Sequence, residues 1–154
     1  MPTPDENFAA LGLALPPLPS PGGNYVAAKR LGAIVYLSGV ISSGPDGVIT
    51  GTAGVDRSTE AGYGAAEACA LIQLAILKQE LGSLDRVAEV LTVNGYVQAA
   101  PGFAEAPAVI NGASDLLVRV FGEAGRHVRA AIGVSALPRR ALVEIQMTVR
   151  VHES

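Results

Sequence analysis

The sequence predicts an α+β domain with the element order ββαβαββ, in which two helices cover one face of a mixed sheet. Residues 142–151 alternate apolar and polar side chains with a period of two, which is typical of a half-buried strand. Residues 56–81 and 101–122 place apolar residues three and four apart, which is typical of amphipathic helices. Because helices follow strands, part of the sheet should be parallel, with right-handed crossovers.

The first 23 residues are predicted to form an N-terminal arm, and residues 24–154 a single domain. A short helix can form at residues 5–13. The prolines between Pro16 and Pro21, followed by Gly22-Gly23, favour an extended chain after it. The arm carries several leucines, which suggests that it packs on the domain or on a neighbouring chain.

A hairpin is predicted next, with strands at residues 24–30 and 33–39. The apolar run 34–37 suggests that its second strand is buried on both faces. Residues 44–47, Gly-Pro-Asp-Gly, are a strong turn signal.

The two helices flank a predicted strand at residues 86–97. The first helix should end at Gly82, and its Gly62 and Gly64 can let another backbone come close. Pro107 should lie in the first turn of the second helix or mark a delayed start. The candidate N-caps of the first helix are Asp56, Ser58 and Thr59.

The last two strands, residues 128–135 and 142–151, supply the candidate site. In the first of them, Val128, Ala130, Ile132 and Val134 form the apolar set. If the two strands pair with both apolar faces on one core, Arg129 and Glu144 share the opposite face. Small neighbours such as Ala131 then leave room for a ligand beside two charges. The alternative is an ordinary surface ion pair, which is common and weak.

Composition narrows the functional classes. Apolar residues make up 49% of the chain and charged residues only 16%, which favours burial of surface against other subunits. The chain has no apolar run long enough to span a membrane and no secretory signal. Its net charge of −3 argues against a nucleic-acid surface. The single Cys69 fits a reducing cytoplasm, and the absence of Cys/His clusters argues against a metal site.

Several short segments, in the right order over residues 23–151, resemble the RidA family, also called the YjgF or L-PSP endoribonuclease-like family. Residues 111–117 and 122–127 resemble a longer-chain subgroup without an assigned reaction. The segments that carry the resemblance are Asn24-Tyr25-Val26, Leu37-Ser38-Gly39, Val109-Ile110-Asn111, Arg129, and Leu137-Pro138 followed by Val143-Glu144-Ile145.

The resemblance implies a chorismate mutase-like fold that assembles as a homotrimer, with the sheets lining a central barrel and the sites in clefts between subunits. It implies hydrolytic deamination of small enamine or imine acids, such as 2-aminoacrylate, without metal or organic cofactor. Arg129 would grip the substrate carboxylate, and Glu144 would position a water or shuttle protons. The other matching positions are Tyr25, Ser38, Asn111 and Ala131.

The sequence departs from the family pattern at two of these places. Ala131 stands where well-studied members have Cys, and Ser114 falls near an aromatic position of the family helix. One alternative function is therefore a protein that binds small carboxylates without turnover. A second alternative, endoribonuclease activity, is disfavoured by the acidic charge balance and by the absence of a Lys/Arg stripe.

Overall fold

The computed structural model describes residues 1–153, which form one five-stranded sheet path flanked by two long helices. Three short strands and a small N-terminal helix complete the fold. The elements are α1 (Pro4–Ala10), β1 (Ala28–Leu31), β2 (Ile34–Leu37), β3 (Val40–Ile41), β4 (Ser43–Gly44), β5 (Gly47–Val48), α2 (Thr59–Leu81), β6 (Val87–Gln98), α3 (Ala106–Phe121), β7 (Val128–Val134) and β8 (Val143–Val151).

The main sheet has the strand order β1-β2-β8-β6-β7, and β3 pairs with β8 beside β2. Strands β6 and β7 are parallel and are connected through α3, whereas the other pairs are antiparallel. The predicted α+β class and the mixed sheet are therefore confirmed. The predicted turn at residues 44–47 connects β4 and β5, which form a separate two-stranded hairpin.

The sequence signals for the first and last residues of the helices are also confirmed in part. Ser58 is the N-cap of α2, its side chain accepting from the backbone N–H of Ala61, and Gly82 ends the helix with φ 84°. The start of α3 is delayed to Ala106, with Pro107 in its first turn. Helix α1 is present and docks on the domain: Asn7 Nδ2 donates to the Val120 carbonyl at 2.9 Å.

The predicted pairing of the last two strands is wrong. Strand β6 lies between β7 and β8 and pairs with both. Residues 137–140 connect β7 to β8 along the chain, but the parallel β6–β7 pair brings β7 to the edge of the sheet, away from β8.

The predicted faces of β7 are also wrong. Val128 and Ile132 are 70% and 49% exposed, and Arg129 lies on the side that the helices cover. On β8, Val143, Ile145, Met147 and Val149 do face the core, as predicted. The face of the sheet away from the helices is named the open face below. It also carries Tyr36, which is 48% exposed, so β2 is not buried on both sides in the single chain.

Close contact between α2 and α3 holds the helical layer together. A Cβ atom placed on Gly112 of α3 would collide with the backbone carbonyl of Tyr63 in α2, and one on Gly62 would meet the Val109 side chain at 2.8 Å. Gly62 therefore lies close to α3, but its contact is with a side chain and not with the backbone that the sequence had suggested. Gly64 faces open space instead.

We expect Gly112→Ala to lower the free energy of unfolding by about 1–3 kcal/mol, because the helices must move apart to admit the methyl group. Gly64→Ala is the matched control. It adds the same methyl group to a helix where nothing lies within 4 Å, and it should stabilise the fold by about 0.5–1 kcal/mol. Urea denaturation measures both changes. Equal effects of the two substitutions would contradict the packing argument.

Candidate active site

The candidate residues fall into two clusters on opposite faces of the sheet. Arg129 pairs with Val93 of β6, which pairs with Met147 of β8, and both of these neighbours are fully buried under the helices. Glu144 pairs with Tyr96, which pairs with the exposed Ile132. Directly paired residues share a face. One chain therefore does not bring Arg129 and Glu144 together.

The first cluster lines a cleft of about 660 Å³, named the Arg129 cleft. One wall is the face of α3 that carries Asn111, Ser114 and Asp115, which are three and four positions apart. The other wall is the start of β7 with Arg129 and the residues just before it. Of the predicted residues, Asn111 and Arg129 lie here.

Two hydrogen bonds fix the guanidinium of Arg129. Its Nη1 donates to Ser114 Oγ at 3.0 Å, and its Nη2 donates to the Pro107 carbonyl at 3.1 Å. A guanidinium has five N–H groups, so three remain for a ligand. Their planar arrangement matches the two oxygens of a carboxylate. Ala131 follows on the same face of β7, half-buried, and pairs with Gly95.

Ser114 and His127 form a contact that sequence reasoning missed. His127 Nδ1 lies 2.7 Å from the Gly125 carbonyl, which can only accept, so Nδ1 carries the proton. Nε2 then accepts from Ser114 Oγ at 2.9 Å. Burial, and secondarily the charge of Arg129, hold the pKa of His127 below its ordinary value. A neutral His127 thus orients the hydroxyl that holds Arg129.

The second cluster lines a cleft of about 580 Å³, named the Glu144 cleft. Tyr25 and Ser38 lie here with Glu144, as does the segment Pro19–Gly22 of the arm. Burial raises the pKa of the Glu144 carboxyl. A Cβ atom on Gly39 would lie 2.5 Å from Glu144 Oε2, so only glycine leaves room for the carboxylate there.

Backbone contacts hold two polar side chains that line the cleft together with Glu144. Ser38 Oγ donates to the Val26 carbonyl at 2.6 Å, which leaves its lone pairs for a ligand. The phenol oxygen of Tyr25 accepts from the Gly22 N–H at 3.1 Å. The arm and the start of the domain are thereby joined at the rim of the cleft.

The sequence pattern also missed Gln73, a fully buried residue of α2. Its Nε2 donates to the carbonyls of Ser38 at 3.1 Å and Ile145 at 3.0 Å. The amide therefore ties the bend after β2 to the strand that carries Glu144. The apolar pattern of α2 gives no signal for this role of Gln73.

A strained loop borders the Glu144 cleft. Arg139 and Arg140 adopt backbone φ values of 55° and 60°, which residues other than glycine rarely adopt. Arg139 lines the cleft. By contrast, the buried Cys69 lies within the core, and burial raises the pKa of its thiol far above the usual range, so it is not a nucleophile.

Residues 1–153 contain no group of three or more His, Cys, Asp or Glu side chains placed to hold a metal ion. Among the same residues, no helix has the length and apolar character needed to cross a membrane.

Comparison with known proteins identifies close relatives. Residues 5–150 match the profile of a family described as YjgF/chorismate mutase-like, putative endoribonuclease. Protein TCP17 of Trypanosoma cruzi is 40% identical over 148 residues, covering 95% of this chain and 92% of that protein.

Two solved structures are similar over nearly their whole length. The protein Atu1372 from Agrobacterium tumefaciens is 38% identical with a TM-score of 0.89, covering 97% of this chain and 92% of that one. A protein from Shewanella oneidensis MR-1, described as a putative endoribonuclease, is 30% identical with a TM-score of 0.93. The similarity covers 97% of this chain and 100% of that one.

His127→Gln should reduce the loss of stability between pH 7 and pH 5. Because the folded state lowers the pKa of His127, the unfolded chain takes up a proton at higher pH than the folded chain. The wild type therefore loses stability as the pH falls below 6.5. The glutamine variant lacks this proton uptake.

Urea denaturation at the two pH values measures the effect. Arg129→Gln is the companion variant, since it removes the charge that helps to lower the pKa of His127, and it should reduce the loss by a smaller amount. An identical pH dependence in the wild type and His127→Gln would show that the imidazole is not held neutral by the fold.

Proposed function

Because the chain belongs to the YjgF/chorismate mutase-like family, we propose that it hydrolyses small reactive enamine or imine acids, of the 2-aminoacrylate class, to a keto acid and ammonium. The reaction takes place in clefts between the subunits of a homotrimer. The observation that carries the proposal is the division of the site: an anchored guanidinium with free donors on one face, and a half-buried carboxylate of raised pKa on the other.

The open face supports assembly. Val128, Ile132 and Tyr36 expose between 48% and 70% of their surface on the side of the sheet away from the helices. An exposed apolar surface on one face of a sheet is typical of a protein–protein interface. Packing the open faces of three chains around a central barrel would bury it, and the helices would remain outside.

Assembly also completes the site. The Arg129 cleft lies at the edge strand β7, and the Glu144 cleft lies at the bend after β2, two strands beyond β6. In the proposed trimer, Arg129 and Asn111 of one chain face Tyr25, Ser38 and Glu144 of the next. Each of the three clefts then contains both charges.

The two charges have different roles in the reaction. Arg129 binds the substrate carboxylate through two N–H groups and places the imine carbon beside Glu144. The carboxylate of Glu144 accepts a proton from a water molecule as its oxygen attacks that carbon. Glu144 then returns this proton to the imine nitrogen, which gives a carbinolamine. A second transfer through Glu144 moves the proton of the new hydroxyl group to the same nitrogen, which leaves as ammonia while the carbon becomes a carbonyl. A carboxylate of raised pKa suits both transfers.

Binding without turnover is the competing function. It is supported by Ala131, which stands where well-studied members of the family have Cys, so the cleft lacks their thiol. The Arg129 cleft alone suffices for this function, whereas deamination also needs Glu144. The two possibilities therefore differ in how substitutions at these two positions act.

Arg129→Ala should abolish binding of pyruvate, used as a small carboxylate probe, because it removes the charge that holds the ligand. Glu144→Gln should leave binding intact and lower deamination of enzymatically generated 2-aminoacrylate by roughly 10²–10⁴-fold. Calorimetry and a keto-acid assay measure the two effects. The matched controls are Arg30→Ala and Glu80→Gln, both at exposed positions outside the two clefts.

Normal pyruvate binding by Arg129→Ala would contradict the site assignment. Turnover that Glu144→Gln leaves unchanged would contradict the catalytic role of Glu144. A wild-type protein that binds pyruvate and does not turn over 2-aminoacrylate would establish the binding function instead.

Mixing the two inactive variants tests the shared site. In trimers formed from equal amounts of Arg129→Ala and Glu144→Gln chains, about one quarter of the clefts receive both wild-type side chains, one from each neighbour. Co-expressed chains should therefore recover about a quarter of wild-type activity, although each variant alone is inactive. Mixed trimers without recovery would show that no cleft is shared. A stable monomer at micromolar concentration in sedimentation would exclude the assembly itself.

A further inference from the structure

The Arg129 cleft carries more positive charge than one carboxylate requires. Besides Arg129, it is lined by Arg119 near the end of α3 and by Arg126 just before β7. The only acidic residue in its lining is Asp115. The formal charge of the lining is thus +2 with His127 neutral.

The carboxylate of Asp115 accepts a hydrogen bond from a side chain of α2. The phenol of Tyr63 donates to Asp115 Oδ2 at 2.7 Å. This bond raises the pKa of the Tyr63 phenol, because it keeps the proton on the phenol beside a carboxylate. Asp115 is therefore directed toward α2, and the arginines carry the electrostatic character of the cleft.

The additional arginines have only weak side-chain partners, and Arg119 Nε also donates to the Asp115 carbonyl at 3.4 Å. Arg119 Nη2 lies 3.5 Å from Glu67 Oε2, and Arg126 Nε lies 3.3 Å from Glu123 Oε2. In the second pair, the side chains are 70% and 89% exposed. Exposed pairs of this kind contribute little to stability. Both guanidinium groups can therefore exchange these partners for a ligand anion at small cost.

The three arginines border one common space. Ser114, which holds Arg129, and Arg119 both lie on α3 and line this cleft, so a ligand held by Arg129 lies in the same cleft as the second guanidinium group. Arg126, one residue before His127, borders the same space from the other wall.

We propose that the Arg129 cleft takes a substrate with two anionic groups: a carboxylate on Arg129, and a second carboxylate or a phosphate on Arg119 and Arg126. The inference rests on the proposed function and specifies its substrate class. The favoured substrates are imines of acidic or phosphorylated amino acids, and the keto acids that they yield bind in the same manner. An uncharged side chain would leave two guanidinium groups without a ligand partner.

Calorimetry with keto acids as probes tests the inference. Pyruvate carries one anionic group, oxaloacetate and 2-oxoglutarate carry two carboxylates, and 3-phosphohydroxypyruvate carries a carboxylate and a phosphate. We expect at least one of the dianionic probes to bind about tenfold more tightly than pyruvate at equal ionic strength. Comparing oxaloacetate with 3-phosphohydroxypyruvate identifies which second group is preferred.

The double variant Arg119→Gln/Arg126→Gln should bind the dianionic probes no more tightly than pyruvate, because it removes the two groups that hold the second anion. Arg30→Gln/Lys78→Gln is the matched control, since it removes two exposed positive charges outside both clefts. It should keep the preference. The single variant Arg126→Gln, at the most exposed of these positions, replaces the double variant if that one does not fold.

Equal affinity of the wild type for pyruvate and all dianionic probes would overturn the inference and leave the proposed function standing. A preference that survives in the double variant would overturn it as well. If no keto acid binds, the proposed function fails together with the inference.

Discussion

The pairing of β6 with β7 on one side and with β8 on the other determines where every candidate residue lies. This register puts Arg129 in line with Val93 and Met147, under the helices, and puts Glu144 in line with Tyr96 and Ile132 on the open face. A shift of one residue in either pairing would reverse the faces of a whole strand. The parallel β6–β7 pair, connected through α3, also brings the Arg129 cleft to the edge of the sheet.

This arrangement of the sheet affects both the assembly of the chain and the chemistry of the proposed site. A single chain separates its two charges by a sheet, and it exposes Val128 and Ile132 to water. In a monomer the exposed apolar side chains are unfavourable, and the separated charges cannot act on one ligand. In the proposed trimer, burial of the open face would cover these side chains, and it would bring the Arg129 cleft, at the edge strand β7 of one chain, beside the Glu144 cleft of another.

Much of the fold could be predicted from the sequence, since it depends on local signals. The period of β8, the N-cap Ser58, the stop at Gly82 and the turn at residues 44–47 each act within a few residues. The faces of β7 could not be predicted in the same way. Its alternation shows that two faces differ, but the apolar one faces away from the core of its own chain, so periodicity indicated the wrong side.

The candidate site shows the same division. Arg129 and Glu144 were found from the strand pattern, and Tyr25, Ser38 and Asn111 through a family resemblance; each of them lines one of the two clefts. The contacts that hold them were not found. His127 reaches Arg129 only through Ser114, and Gln73 reaches Ser38 across 35 residues of chain. Such links depend on how elements pack, which no short segment reveals.

The two clefts differ in how well the charged groups are stabilised by their surroundings, and this difference supports different roles. Around Arg129, two acceptors hold the guanidinium and a neutral imidazole supports one of them, which is the arrangement expected of a rigid binding group. Around Glu144, burial disfavours the charged carboxylate, and the loop at Arg139 and Arg140 holds a rarely adopted backbone conformation. Unfavourable features of this kind persist where the surrounding fold maintains them, and they concentrate at reactive sites. Within the proposed function, this places recognition on the Arg129 side of each shared cleft and proton transfer on the Glu144 side.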